Sequence, residues 1–216
     1  MDKLQEQYFE ALTVDRKQNA DVFEKPSARG AISEASDKYS EQAHFIYELL
    51  QNADDAGATS ARFVLHNDKL VFAHNGIRRF FVSNPETEDE DSKAGCLGDI
   101  NSITSIGNST KANKPTIGKF GMGFWAVRQY TATPYIYDPD VFFKIERACV
   151  PVRIYEDFVG RRKDETLFVL PFNHKTCTPE TAYAEISEKL RSLDYPLLFL
   201  SHLKEISFEI GGILGL

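Results

Sequence analysis

Glu48 and Asn52 stand one helical turn apart in the stretch "YELLQNADDAGAT" (47–59). A carboxylate and a carboxamide at i and i+4 can both reach one bound ion and its waters. The Asn52 side-chain oxygen is the hard ligand that Mg²⁺ favours, and Glu48 could accept a proton from an attacking water. At about 100° per residue, Glu48, Asn52 and Asp55 fall within roughly 60° of one another. His44, Glu41 and Gln51 share that stripe. Ile46, Leu50 and Ala53 take the opposite side, and Phe45, Leu49 and Ala56 form a second apolar flank. A polar stripe bordered by aliphatic residues on both edges suits a polar cavity better than open solvent. The plainer alternative is a stripe satisfied by water alone.

A second stretch, "IGKFGMGF" (117–124), places Gly118, Gly121 and Gly123 just before an expected helix. Backbone N–H groups in such a turn, backed by a helix N-terminus, suit a phosphate. Lys111, Lys114 and Lys119 would add positive charge. The spacing is neither that of the P-loop nor that of the dinucleotide-binding fingerprint. Taken alone, such a turn is more often purely structural. Phosphate cradle, magnesium ligand and base together would make a nucleotide hydrolase site.

The elements that must position these residues are legible in outline. Residues 1 to about 36 read as a helix, "DKLQEQYFEALTVDRK", followed by a polar connector. Ser40 is placed to cap the next helix, which Gly57 closes. "TSARFVLH" and "KLVFAHN" read as a hairpin turning at Asn67 and Asp68. "SNPETEDEDSKAG" (83–95) carries five acidic residues among turn formers and reads as a solvated loop. "CLGDINSITSIG" reads as a short helix entering the loop 108–123, with a helix "GFWAVRQY" after it. The segments "PYIYD", "VFFKIERA", "VPVRIYED" and "ETLFVLPF" read as strands. An amphipathic helix, "ETAYAEISEKLRSL", and a last strand in "EISFEI" follow. Hairpin-linked strands mixed with helices favour an α+β two-layer sandwich over a doubly wound parallel sheet. The expected organisation is an N-terminal helical segment over 1–36 and one compact domain over 37–216.

Composition narrows the function classes. The chain has 216 residues, a net charge of −7 and ordinary hydrophobic content, which argues against a general nucleic-acid binder. The Arg pairs at 78–79 and 161–162 read as surface charge. No apolar run approaches the roughly 18 residues of a membrane span, and the N-terminus has no signal-peptide character. Three scattered cysteines without CxxC spacing point to a reducing cytosol and to neither a disulfide framework nor a zinc site. Trp125 and Phe124 read as core.

In combination the motifs resemble the GHKL ATPase superfamily, which includes gyrase B, MutL, the large heat-shock chaperones and histidine kinases. "ELLQNADDA" (48–56) looks like its asparagine motif, "HNG" (74–76) sits where it has an adenine-reading Asp-x-Gly, and "SIGNSTK" (105–111) looks like its ATP lid. "IGKFGMGF" is similar to its second glycine motif, and "ETLFVLPF" (165–172) to the late strand whose threonine closes the adenine pocket. The likeness is greatest to sacsin-type N-terminal ATPase domains.

The resemblance implies a Bergerat fold: a mixed, mostly antiparallel sheet with helices on one face and an ATP lid. It implies Mg²⁺ and ATP as cofactors, with Glu48 as general base, Asn52 as metal ligand and Asp55 supporting the pocket. Ser109, Thr110 and Lys111 would belong to the lid. Gly118, Lys119, Phe120, Gly121, Met122, Gly123 and Phe124 would form the phosphate loop. Thr166 would reach the adenine edge, and Asn75 would replace the usual Asp as acceptor for the adenine amino group. It further implies slow hydrolysis timing a conformational change in a larger chaperone-like or defence-like protein, with ATP-dependent homodimerisation. A nucleotide-binding regulatory domain that never hydrolyses is the other reading. A histidine-kinase core would need a phosphoacceptor His on a preceding helix, and residues 1–40 contain none.

Overall fold

Eight strands join in a single sheet, and three longer helices supply the apolar stripes that cover one face of it. The computed structural model describes residues 1–25, 45–105, 124–193, 196–211 and 213–215. In chain order the elements are α1 (Lys3–Phe23), α2 (Phe45–Asp55), β1 (Ser60–His66), β2 (Lys69–His74), α3 (Glu88–Ala94), α4 (Asp99–Ile103), β3 (Tyr135–Asp138), β4 (Val141–Glu146), β5 (Val150–Arg153), β6 (Thr166–Pro171), α5 (Pro179–Arg191), β7 (Glu205–Ile210) and β8 (Ile213–Gly215). Short 3-10 turns cover Pro85–Thr87, Phe124–Gln129 and Pro196–Phe199.

The sheet order is β5-β4-β3-β6-β2-β1-β7-β8. All neighbours are antiparallel except β1 and β7. The architecture is therefore the α+β two-layer arrangement with a mixed, mostly antiparallel sheet. The β1–β2 hairpin turns at Asn67 and Asp68, with His66 opposite Lys69. The side-chain period of two then divides the sheet residues between its faces. Phe63, Phe72, Ile136, Phe143 and Phe168 join Phe9 and Leu12 of α1, Leu49 and Leu50 of α2, and Ile186 and Leu190 of α5 in one core. The opposite face carries a smaller cluster around Val71, Tyr137, Leu167 and Val169, against which Ile154 and Phe158 pack.

Two segments differ from the sequence reading. Residues 85–94 are a 3-10 turn and a helix rather than a loop, capped by the Asn84 side chain on the Glu86 N–H and closed by Gly95 at φ 78°. Acidic side chains in its first turn complement the helix dipole. Residues 124–129 are 3-10 rather than α-helical. Trp125 donates its indole N–H to the Ser105 carbonyl at 2.9 Å. That bond links the described residues on either side of 106–123. The expected cap Ser40 lies outside the described residues, as do Lys111, Lys114 and the rest of that segment.

Candidate functional site

α2 ends where a small cavity begins. Gly57, at φ 73°, donates its N–H to the Asp54 carbonyl at 2.8 Å, while Ala58 donates to Ala53 at 3.0 Å. These are the two bonds of a Schellman motif, in which glycine accepts the left-handed conformation at little cost. Gly76 then brings the end of β2 against this terminus. A Cβ there would stand 2.8 Å from the Ala56 Cβ and 2.8 Å from the His74 Nδ1. The close approach leaves a small cavity lined by Asn52, Ala56, His74, Arg78, Arg79, Phe80 and Asp99.

Asn52 is 7% exposed, yet its carboxamide makes no hydrogen bond to a described residue. Its amide atoms are not among the buried polar atoms sealed from solvent without a partner, so the carboxamide is open to a ligand or to water at the cavity. Glu48 lies one turn earlier on the same helix and is half-buried. Asp55 is also half-buried, with Oδ2 shielded and unbonded. Burial, reinforced by the adjacent Asp54 charge, raises its pKa against the pull of Arg78 and His202.

Asp54 has a different task. Its carboxylate accepts the N–H groups of Ser201, His202 and Leu203 at 2.9, 2.6 and 2.8 Å. Burial alone would raise its pKa, but these three bonds hold it below the usual carboxylate range. It fastens the chain entering β7 to the end of α2.

Opposite Asn52, Arg78 and Asp99 form an ion pair. Asp99 is 3% exposed, and its Oδ2 has no partner. Burial pushes its pKa up in spite of the neighbouring guanidinium. Arg79 donates to the Gly76 carbonyl at 2.9 Å. His74 is buried among Phe72 and Phe168, and its Nδ1 accepts the Gly76 N–H at 3.1 Å. Burial and the Arg79 charge lower its pKa to about 4, so the imidazole is neutral at physiological pH.

His74, Thr166 and Asp138 end adjacent strands on the helix-facing side. Thr166 is opposite His74 in the β2–β6 register. It is fully buried and donates its hydroxyl to Asp138 Oδ2 at 2.9 Å. Asp138 Oδ1 accepts the Asp140 N–H at 3.1 Å, and burial raises its pKa.

The expected site residues therefore divide into groups. Asn52 lines the cavity, Glu48 and Asp55 belong to its helix, and Thr166 sits one strand away beneath its wall. Asn75 is exposed and turned to a local duty: its Oδ1 accepts the Thr59 and Ser60 N–H groups at 2.9 and 3.0 Å, and its Nδ2 donates to Thr59 Oγ1 at 2.9 Å. His74, not Asn75, lines the cavity from this motif. Phe124 is a core side chain packed on Phe168. Ser109, Thr110, Lys111, Gly118, Lys119, Phe120, Gly121, Met122 and Gly123 lie outside the described residues.

The sequence reading missed His74, Arg78, Arg79 and Asp99. The sequence reads the Arg pair as surface charge, and Arg78 is indeed exposed and Arg79 half-buried, but both also line the cavity. The pair's only local signal was an alternation with the buried Phe80 and Val82. Asp99 becomes its partner only through the chain reversal of residues 83–98. Among the described residues no cluster of three or more His, Cys, Asp or Glu could cage a metal, and no helix is long and apolar enough to cross a membrane.

The chain matches the family model described as "Sacsin domain" over residues 28–145, more than half its length. It is similar to human Sacsin, with 29% identity over 113 residues, covering 48% of this chain and 2% of that protein. The family-model match spans α2, the β1–β2 hairpin, Arg78, Asp99 and β3, and so includes every described residue that lines the cavity. The chain belongs to the Sacsin domain family.

Proposed function

We propose that the chain binds Mg·ATP in the cavity beside α2 and hydrolyses it slowly to ADP and phosphate, as a switch module of a larger chaperone-like or defence-like protein. The observation that carries this reading is Asn52, a buried carboxamide facing a cavity with no partner of its own. Its oxygen suits Mg²⁺, which favours few protein ligands with water and phosphate oxygens completing its shell. Asn52 would hold the ion, with Glu48 one turn earlier reaching its water shell. Bound there, the metal would neutralise charge on the phosphates.

Glu48 would take the proton from the water that attacks the γ-phosphorus, as the bond to the β-phosphate oxygen breaks and ADP leaves with that electron pair. Arg78 offers positive charge at the cavity, and the glycine-rich stretch 118–123 would add backbone N–H groups. The Sacsin family membership and the motif order support the same reading.

Calorimetric titration with ATP, ADP and GTP in Mg²⁺, alongside Asn52→Ala, tests it. Micromolar binding that Asn52→Ala weakens at least about tenfold, some 1.4 kcal/mol, is the expected result. Binding by none of the nucleotides would reject it. Turnover by the wild type but not by Glu48→Ala would separate hydrolysis from binding alone; no turnover by the wild type would leave a regulatory nucleotide-binding domain.

A further inference from the structure

The wall of the cavity formed by "HNG" presents a hydrogen-bond donor where the motif order suggests an acceptor. His74 Nδ1 is committed, because the Gly76 N–H donates to it at 3.1 Å. A neutral imidazole carries one proton, and accepting at Nδ1 leaves that proton on Nε2. Nε2 makes no hydrogen bond to a described residue, while His74 lines the cavity. Glycine at 76 permits this close approach, since a side chain there would collide with the ring nitrogen and with the end of α2.

The neighbouring groups do not restore an acceptor at that point. Asn75 spends its oxygen on the Thr59 and Ser60 N–H groups outside the cavity. Thr166 is fully buried and gives its hydroxyl proton to Asp138. Asp138 is itself fully buried and occupied by Thr166 and the Asp140 N–H. The other side-chain acceptors lining the cavity are the Asn52 carboxamide oxygen, which the reading above gives to the metal, and Asp99, which faces Arg78 across the ion pair.

Resting on the nucleotide reading above, we propose that His74 reads the bound purine through its Nε2–H. The base then offers an acceptor to the protein: N1 of adenine or O6 of a 6-oxopurine. The exocyclic amino group of adenine is not selected. The site is therefore a purine-nucleotide site of relaxed base preference, in which His74 sets the polarity of recognition.

Inosine triphosphate is the discriminating probe, because it differs from ATP by a carbonyl for the amino group and by the proton on N1. Titration of the wild-type protein with ATP and with inosine triphosphate, both with Mg²⁺, should give dissociation constants within about tenfold of each other. Long-range ¹H–¹⁵N spectra, with His74 assigned by comparison with His74→Asn, should show Nε2 protonated and Nδ1 bare. An ATP preference of about tenfold or more, erased by Asp99→Asn, would mean that Asp99 reads the amino group. That result overturns the proposal and leaves the nucleotide site standing. The opposite imidazole tautomer would likewise overturn it. No binding of either nucleotide would reject this proposal together with the reading on which it rests.

Discussion

Asn52 and His74 show how single residues trade stability for a site. Asn52 makes no side-chain hydrogen bond to a described residue, so truncation removes a ligand without breaking a bond of the fold. Asn52→Ala should lose nucleotide binding while its thermal midpoint stays level or rises, a pairing that differential scanning calorimetry would show. His74 makes a pH prediction. Its imidazole titrates near 6.5 when unfolded and near 4 in the fold, because burial and Arg79 oppose its charge. Between those values the unfolded chain holds the extra proton, so the His74 contribution to stability falls as pH drops through that window and stays level below it. The shift corresponds to about 3 kcal/mol for this buried ring. Urea titrations from pH 7 to pH 4 should show that loss, and His74→Asn should remove most of it.

The elements depend on a few fastenings at the end of α2. Gly76 lets β2 approach that terminus, and a Cβ there meets the Ala56 carbonyl at 3.0 Å as well as the Ala56 Cβ. Both are rigid neighbours. Gly76→Ala should cost about 1–3 kcal/mol, the usual range for overpacking, and should weaken nucleotide binding because the cavity wall shifts with β2. Asp54 fastens residues 201–203 through three backbone N–H groups. Asp54→Ala leaves those donors without a carboxylate and should cost about 2–4 kcal/mol, read as a lower urea midpoint. Hydrogen exchange at Ser201, His202 and Leu203 should accelerate together. Gly57 and the Asn67-Asp68 turn were legible in the sequence, because each rests on a local backbone preference. The helix at 88–94 was not, because its residues lack an apolar stripe and are held instead by the Gly95 C-cap, a favourable dipole and contacts from elsewhere.

At the scale of the molecule, α1 acts as part of the core. Phe9 and Leu12 are buried in the main cluster, and Arg16 pairs with Glu88 beside the connection that carries Arg78 and Asp99. Gln5 clasps Val82 by donating to its carbonyl and accepting its N–H, both at 2.9 Å. Removal of residues 1–24 should destabilise the fold by at least about 4 kcal/mol, given roughly 1.5–3 kcal/mol for each large apolar side chain re-exposed. Denaturant titration with dye binding to exposed apolar surface would measure it.

By itself the sequence determined the α+β class, the hairpin, the end of α2 and the polar stripe with Asn52 at its centre. Periodicity and turn chemistry act over a few residues and leave a local record. Only the tertiary structure decided that His74 rather than Asn75 enters the cavity, that Asp54 ties down a segment 147 residues away, and that Arg78 and Asp99 meet. Strand register sends neighbouring side chains to opposite faces, and chain reversal pairs residues that carry no mark of each other in sequence. Those two facts of geometry assembled the candidate site.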